Sequence, residues 1–142
     1  MRNPQHIVLG QQGEKLARLY LLDKGYILLE KNYFYKKLEV DLIAEKDNEI
    51  VFVEVKTRRK YDMGGPEASV DRDKEENLLE LSEYYMNHFD LDLNYRIDII
   101  SVILNNSDFA IHHFENAGEY FLSDWYLIRF CFSIFKKIFI HD

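Results

Sequence analysis

The sequence predicts one mixed α/β domain over residues 1–118, with a β-sheet flanked by helices. The chain has 142 residues, which is enough for one hydrophobic core and too few for two domains of ordinary size. Segments of helical and strand periodicity follow one another as helix, three strands, helix, two strands (α-β-β-β-α-β-β). A hydrophobic content of 47% with six Gly and two Pro excludes a disordered or low-complexity chain.

The first half of this domain contains one helix and three strands. Residues 11–24 show helical spacing of apolar side chains, and Gly25 is suited to end that helix in a left-handed conformation. Residues 26–35 form an aliphatic and aromatic strand. Two further β-rich runs, 38–44 and 49–57, lie on either side of a short polar stretch, which predicts a hairpin.

The second half contains a loop, a helix and a second strand pair. Residues 58–66 are predicted as a loop, and a helix capped by Ser69 or Asp71 runs to about His88. Two strands, at 95–104 and 109–114, then follow and are joined by a polar turn.

Residues 119–142 differ in composition from the domain and predict an amphipathic helix. Its apolar stripe recurs at steps of three and four and consists of Phe121, Trp125, Ile128, Phe132, Phe135 and Phe139. Three roles remain open for this helix: docking on the domain, forming a homodimer contact, or binding a membrane surface. Arg129 interrupts the apolar part, so we expect no stable membrane insertion.

Charge and cysteine content exclude several classes of protein. The 18 Lys and Arg residues against 25 Asp and Glu give a net charge of −7, which excludes a general nucleic-acid coat protein. A local basic patch or a bound divalent cation could still bring nucleic acid to the chain. The single cysteine, Cys131, excludes an internal disulfide framework, and residues 1–13 lack a signal-peptide pattern. We therefore expect a cytoplasmic protein.

The hairpin has a polarity pattern that sets its register. Closure through a two-residue loop at Asp47–Asn48, or through a four-residue loop centred on the same bond, places Leu42 opposite Val53 and Val40 opposite Val55, so that one face of the hairpin is apolar. Such a face is expected to be covered by a helix.

The same register predicts that two carboxylates are neighbours on the other face. Asp41 would lie directly opposite Glu54, with Glu39 opposite Lys56 one pair away. Like charges at that separation repel, and a divalent cation with oxygen ligands would neutralise them. Two acids beside a lysine are the residue types needed for metal-assisted hydrolysis of a phosphodiester.

Glu54 and Lys56 could also be ordinary exposed strand charges, because the Glu-x-Lys tripeptide is common. The opposed Asp41, the apolar reverse face and the continuing run Thr57-Arg58-Arg59-Lys60, with three basic residues, favour a site.

Several sequence blocks resemble a known family. The most specific are Glu39-Val40-Asp41-Leu42-Ile43-Ala44 and Val51-Phe52-Val53-Glu54-Val55-Lys56-Thr57-Arg58, preceded by Gly13-Glu14 and followed by Gly65-Pro66-Glu67-Ala68, Arg96-Ile97-Asp98 and His112-His113-Phe114-Glu115-Asn116-Ala117. Over residues 10–118 the chain resembles the YraN family of bacterial endonuclease-like proteins, within the PD-(D/E)XK superfamily.

The resemblance implies a restriction-endonuclease-like sheet, related in fold to archaeal Holliday-junction resolvases. It implies a catalytic set of Glu14, Asp41, Glu54 and Lys56. Asp41 and Glu54, with Glu14 as a further ligand, would hold Mg²⁺ or Mn²⁺, and Lys56 would position the attacking water. The implied function is a metal-dependent DNA endonuclease, with branched DNA as one candidate substrate. The alternative is a nuclease-fold module that binds nucleic acid or a partner without cutting.

Four basic residues are candidates for DNA contact. Arg58, Arg59 and Lys60 directly follow the strand that carries Glu54 and Lys56, and Lys74 lies on the second helix. They could contact backbone phosphates, or they could be solvated surface charges.

Two other polar pairs are predicted to be structural. Arg96 and Asp98 lie two residues apart on one strand, as expected for an ion pair near a sheet end. His112 and His113 are adjacent on a strand and therefore point to opposite faces, which disfavours chelation of one ion.

Overall fold

The computed structural model describes residues 4–62 and 72–118. The aromatic helix expected over 119–142 lies outside these residues, and so do Ser69 and Asp71, the two candidate caps of the second helix.

The described elements have the predicted order and confirm the mixed α/β fold. They are α1 (Pro4–Asp23), β1 (Ile27–Tyr35), β2 (Leu38–Lys46), β3 (Glu49–Arg59), a 3₁₀ turn (Lys60–Asp62), α2 (Arg72–His88), β4 (Asn94–Asn105) and β5 (Asp108–Phe114). Within these ranges, neither helix is long and apolar enough to cross a membrane.

Several element boundaries differ from the sequence prediction, among them the start of α1 and the end of β3. Helix α1 begins at Pro4 instead of near residue 11, since proline is tolerated in the first turn of a helix. Strand β3 continues through Arg58 and Arg59, which were predicted as loop, because β4 pairs alongside it as far as Leu104.

The β2–β3 turn is confirmed as the two-residue loop Asp47–Asn48. Lys46 pairs with Glu49 across it. Asp47 and Asn48 have φ values of 51° and 62°, as a type I′ turn requires at both central positions.

The five strands form one mixed sheet in the order β1-β2-β3-β4-β5. Neighbouring strands are antiparallel except for β3 and β4, which are parallel and are connected through α2. The central strands are buried on both faces, which is the usual condition of parallel pairing.

Each helix covers one face of the sheet. The cluster on the α1 face contains Ala17, Leu21, Tyr26, Leu42, Ala44, Val51, Val53, Ile100 and Val102. The cluster on the α2 face contains Val40, Ile43, Ile50, Phe52, Leu78, Leu81, Tyr85, Met86 and Ile97. Both faces of β3 therefore have a hydrophobic layer beneath a helix, and this fixes the strand that carries Glu54 and Lys56.

Gly13 allows α1 to approach β3 closely. A Cβ atom at this position would lie 1.7 Å from Oγ1 and 2.7 Å from Cβ of Thr57. Thr57 is buried and β-branched, so rotation of its side chain cannot remove the second overlap. Glycine is therefore required where the helix meets the end of β3.

Replacement of Gly13 by alanine is expected to lower the free energy of unfolding by about 1–3 kcal/mol. The overlap with Thr57 forces a shift of α1, which outweighs the better helix propensity of alanine. Urea denaturation measures the change. Gly10→Ala is the matched control, since a Cβ there meets nothing within 4 Å, and we expect it to be neutral or stabilising. Equal stability of the two variants would contradict this role of Gly13.

Candidate active site at the β2–β3 fork

The ladder between β2 and β3 ends at the pair Leu42–Val53. Beyond this point β2 continues beside β1 as far as the pair Tyr35–Leu38, while β3 continues beside β4. The two strands therefore separate, and we call this point the fork. The predicted register is confirmed from the turn to Leu42 and Val53, and the expected pairing of Val40 with Val55 is absent from the ladder.

Asp41 lies at the fork, where its side chain takes the place of a backbone hydrogen bond between β2 and β3. Its Oδ2 atom accepts a hydrogen bond of 2.7 Å from the backbone N–H of Val55. Because that amide belongs to the peptide between Glu54 and Val55, Asp41 lies next to Glu54, although the two are not ladder partners as predicted.

Glu54 and Lys56 lie on one face of β3, two residues apart. Glu54 is a buried carboxylate with 3% of its surface exposed, and its Oε1 atom lies 3.6 Å from Nζ of Lys56. The Lys56 side chain is 19% exposed. The structure thus joins a buried acid to a cation that reaches solvent.

The face assignment of Val40 was wrong, because the β1–β2 ribbon turns over next to the fork. Val40 packs in the α2-face cluster, whereas Leu42 packs in the α1-face cluster. In a regular strand these two side chains would share a face. Asn32 lies on β1 between the partners of Leu42 and Val40 and has a φ of 49°, so the backbone of the neighbouring strand is irregular at the same place.

Glu14 is on α1 beside the glycine that packs on Thr57, the residue after Lys56. Its side chain is partly exposed. Within residues 4–62 and 72–118, no group of three or more His, Cys, Asp or Glu side chains is arranged to hold a metal ion. The structure therefore brings Asp41 and Glu54 together and does not add Glu14 to them.

The predicted DNA contacts continue along β3 from the site. Arg58 and Arg59 end the strand and Lys60 begins the 3₁₀ turn, all three partly exposed. The guanidinium of Arg59 donates a 2.9 Å hydrogen bond to the hydroxyl of Tyr61. Lys74 lies in the first turn of α2.

Arg96 and Asp98 form the predicted structural pair on the α1 side of the sheet. The Asp98 carboxylate is fully buried and accepts hydrogen bonds from Nε of Arg96 at 3.0 Å and from the backbone N–H of Asn116 at 2.9 Å. Nε2 of His113 lies 2.6 Å from its Oδ2 atom. Arg96 also donates to Glu49 at 2.8 Å.

These contacts hold Asp98 in its charged form. Burial raises the pKa of Asp98, but the hydrogen bonds from His113, Arg96 and Asn116 outweigh burial, so the pKa lies below its ordinary value. Burial lowers the pKa of His112, which points away from Asp98 and contacts the Phe114 ring. The expectation that the two histidines face opposite ways agrees with these contacts.

A family model described as "Uncharacterised protein family UPF0102" matches residues 13–102. The match spans more than half of the chain and includes Glu14, Asp41, Glu54 and Lys56. The chain belongs to this family.

Full-length relatives support the assignment to UPF0102. UPF0102 protein FP2501 of Flavobacterium psychrophilum is 43% identical over 117 residues, which cover 82% of this chain and 98% of that protein. A UPF0102 protein of Flavobacterium johnsoniae is 40% identical over 121 residues, with the same coverage. UPF0102 protein THEYE_A1950 of Thermodesulfovibrio yellowstonii is 43% identical over 111 residues, covering 78% and 96%. The resemblance to YraN-like proteins is thus confirmed at the level of the family.

The donor set at the fork of this UPF0102 protein fits a hard divalent cation. Asp41 and Glu54 offer carboxylate oxygens, and Mg²⁺ is commonly bound by one or two carboxylates together with water and substrate phosphate. A third protein ligand is therefore not required. One oxygen of Asp41 is already oriented by the Val55 amide, as carboxylates in metal sites usually are.

Sequence reasoning missed the neighbour of the site on β4. Ser101 is the ladder partner of Lys56 and is 4% exposed, so its side chain lies beside that lysine on the same face. No sequence signal shows which residues of two parallel strands are neighbours, because their connection runs through a helix.

Proposed function

We propose that this UPF0102 protein is a divalent-metal-dependent DNA endonuclease of the PD-(D/E)XK type, which hydrolyses phosphodiester bonds. The observation that carries the proposal is the meeting of Asp41, Glu54 and Lys56 at the fork. The Asp41 carboxylate accepts a hydrogen bond from the backbone N–H of Val55, the residue after Glu54. The ammonium of Lys56 lies 3.6 Å from the Glu54 carboxylate. The fold, a mixed sheet between two helices, agrees with the superfamily that the sequence resembles.

Each residue has a distinct role in this proposal. Asp41 and Glu54 would hold Mg²⁺ or Mn²⁺, with Glu14 on α1 contributing from further out. The ion, when bound, supplies Lewis-acid activation of the scissile phosphate. Lys56 orients the attacking water and stabilises negative charge that develops on the phosphate. Burial of Glu54 limits competition from bulk water and strengthens its interaction with a cation.

The basic residues beyond the site would position the DNA. Arg58, Arg59 and Lys60 follow Lys56 along the same strand and turn, so they are suited to contact the phosphates next to the cleaved bond. Lys74 at the start of α2 is a further candidate. These contacts would offset the net negative charge of the chain locally.

The test is a cleavage assay on linear duplex, single-stranded, flap and four-way-junction DNA with Mg²⁺ or Mn²⁺. We expect cutting of at least one substrate by the wild type, loss of cutting with EDTA, and a decrease of at least about a hundredfold in Glu54→Ala and Lys56→Ala. Glu80→Ala, which changes an exposed glutamate on α2, is the matched control and should cut normally.

Two outcomes would contradict the proposal. If the folded wild type cuts none of the substrates, the non-catalytic binding module becomes the better reading. If cutting survives in both site variants, the activity comes from a contaminant.

A further inference from the structure

The fork has two arms that extend from it in the same direction. The first is the end of the β1–β2 ribbon, residues 34–39. The second is the end of β3 with the following turn, residues 56–61. Because β2 and β3 are antiparallel, moving back along β2 from Leu42 and forward along β3 from Val53 follows the same direction. At about 3.3 Å per residue each arm reaches roughly 15–25 Å beyond the fork.

Both arms end in basic residues. The first arm turns at Lys36 and Lys37, two exposed lysines, of which Lys36 has a φ of 55°. The second arm carries Arg58, Arg59 and Lys60. The chain has a net charge of −7, but these five cations form two local basic patches, one on each arm of the fork.

Both arms also carry an exposed aromatic ring. Tyr61 is 77% exposed and Phe34 is 62% exposed, the highest values among the large hydrophobic side chains of the described residues. Tyr61 directly follows Lys60. Phe34 precedes the turn lysines by two residues and lies on the opposite face of β1 from Tyr33 and Tyr35, which pack towards α2. Neither ring packs in either hydrophobic core cluster.

Cations interleaved with solvent-exposed rings are the features with which proteins bind single-stranded nucleic acid. The cations follow the phosphate backbone, and each ring stacks on a base that has no partner strand. Paired bases in a duplex are stacked on each other and do not offer their faces to such rings. The combination therefore distinguishes a single strand from an intact duplex.

We propose that the two arms bind a single-stranded segment of DNA across the fork, with Lys36 and Lys37 on its phosphates and Phe34 and Tyr61 stacked on its bases. This inference rests on the proposed function and names its substrate class: DNA with unpaired bases at the position of cleavage. The β1–β2 turn is then a second DNA-binding element that complements the basic end of β3.

The experiment measures binding without cleavage, by fluorescence anisotropy of the full-length chain in EDTA. The probes are a labelled single-stranded oligonucleotide and the duplex of the same sequence. For Lys36→Gln/Lys37→Gln we expect affinity for the single strand to fall about tenfold or more. We also expect the slope of log affinity against log salt to decrease in magnitude by about 1.4, the sum for two phosphate contacts on a single strand.

The ring variants test the stacking. Phe34→Ala and Tyr61→Ala should each weaken single-strand binding about fivefold or more and leave duplex binding nearly unchanged. Phe109→Ala is the control for loss of an exposed ring, and Lys15→Gln/Lys24→Gln is the control for loss of two exposed lysines, one on α1 and one directly after it.

Three results would overturn the inference. They are normal binding by the arm variants beside a wild type that binds, an equal loss in the control variants, and tighter binding of duplex than of single strand. The first and third leave the nuclease proposal in place, because cleavage is assayed separately. A wild type that neither binds nor cuts DNA would remove both.

Discussion

Replacement of Asp98 by asparagine is expected to lower the free energy of unfolding by about 3 kcal/mol. Asp98 is fully buried, and its carboxylate accepts hydrogen bonds from Arg96 on its own strand and from the backbone of Asn116, with His113 on β5 within 2.6 Å. Loss of the negative charge leaves Arg96 without its main partner in a largely buried place, and such a loss typically costs about 3–5 kcal/mol. The Glu49 contact of Arg96 compensates in part.

Urea denaturation of the wild type and the variant measures the change. Asp92→Asn, at an exposed position before β4, is the control and should change stability by less than about 0.5 kcal/mol. Since the folded protein lowers the pKa of Asp98, this stabilisation is present above the ordinary pKa near 3.9 and is lost as the pH falls below it. The difference between wild type and variant should therefore shrink below about pH 4. A stable Asp98→Asn variant at neutral pH would contradict the structural role.

Replacement of Glu54 by glutamine is expected to weaken Mn²⁺ binding at least about tenfold. Loss of residues that merely orient a metal ligand costs 10- to 100-fold in affinity, so loss of a ligand's charge should cost no less. The change keeps the shape of the buried side chain. It removes the ion pair with Lys56, 3.6 Å away, but also the repulsion from nearby Asp41, so we expect the free energy of unfolding to change by less than about 1 kcal/mol. Calorimetric titration with MnCl₂ and urea denaturation measure the two effects.

Glu80→Gln is the matched control for this variant, because Glu80 is exposed on α2 and far from β3 in sequence. It should bind Mn²⁺ as the wild type does. A Glu54→Gln variant that is strongly destabilised would indicate that Glu54 has a structural role, and any loss of metal binding would then carry no information about a site.

The fold was predictable because its signals are local. The apolar runs that end at Ala44 and begin at Ile50, with the polar turn around Asp47–Asn48 between them, determine the register of one hairpin. The same register placed Asp41 and Glu54 near each other. One face of the hairpin is apolar and is expected to be buried, so the two charged side chains are expected on the other face. Lys56 follows from the two-residue period of a strand.

The fork itself was not predictable from the pattern. The pairing of β2 with β3 stops where the Asp41 side chain accepts a hydrogen bond from the Val55 amide. A side chain that replaces a backbone hydrogen bond leaves no periodic pattern in the sequence. Val40 faces α2 while Leu42 faces α1, and the neighbouring Asn32 on β1 has a positive φ; asparagine in a strand does not by itself indicate that conformation. The contact between Gly13 and Thr57, and the partners of Asp98, join distant parts of the chain, which one sequence does not reveal.

The proposed function requires that Asp41 and Glu54 bind a divalent cation at the fork. The most direct measurement is the calorimetric titration of the folded wild type with Mn²⁺, run beside Glu54→Gln and Glu80→Gln. We predict saturable binding of one or two ions by the wild type and by Glu80→Gln, and binding at least about tenfold weaker in Glu54→Gln. Heats in the wild type that match dilution alone, or equal binding in all three proteins, would contradict the claim.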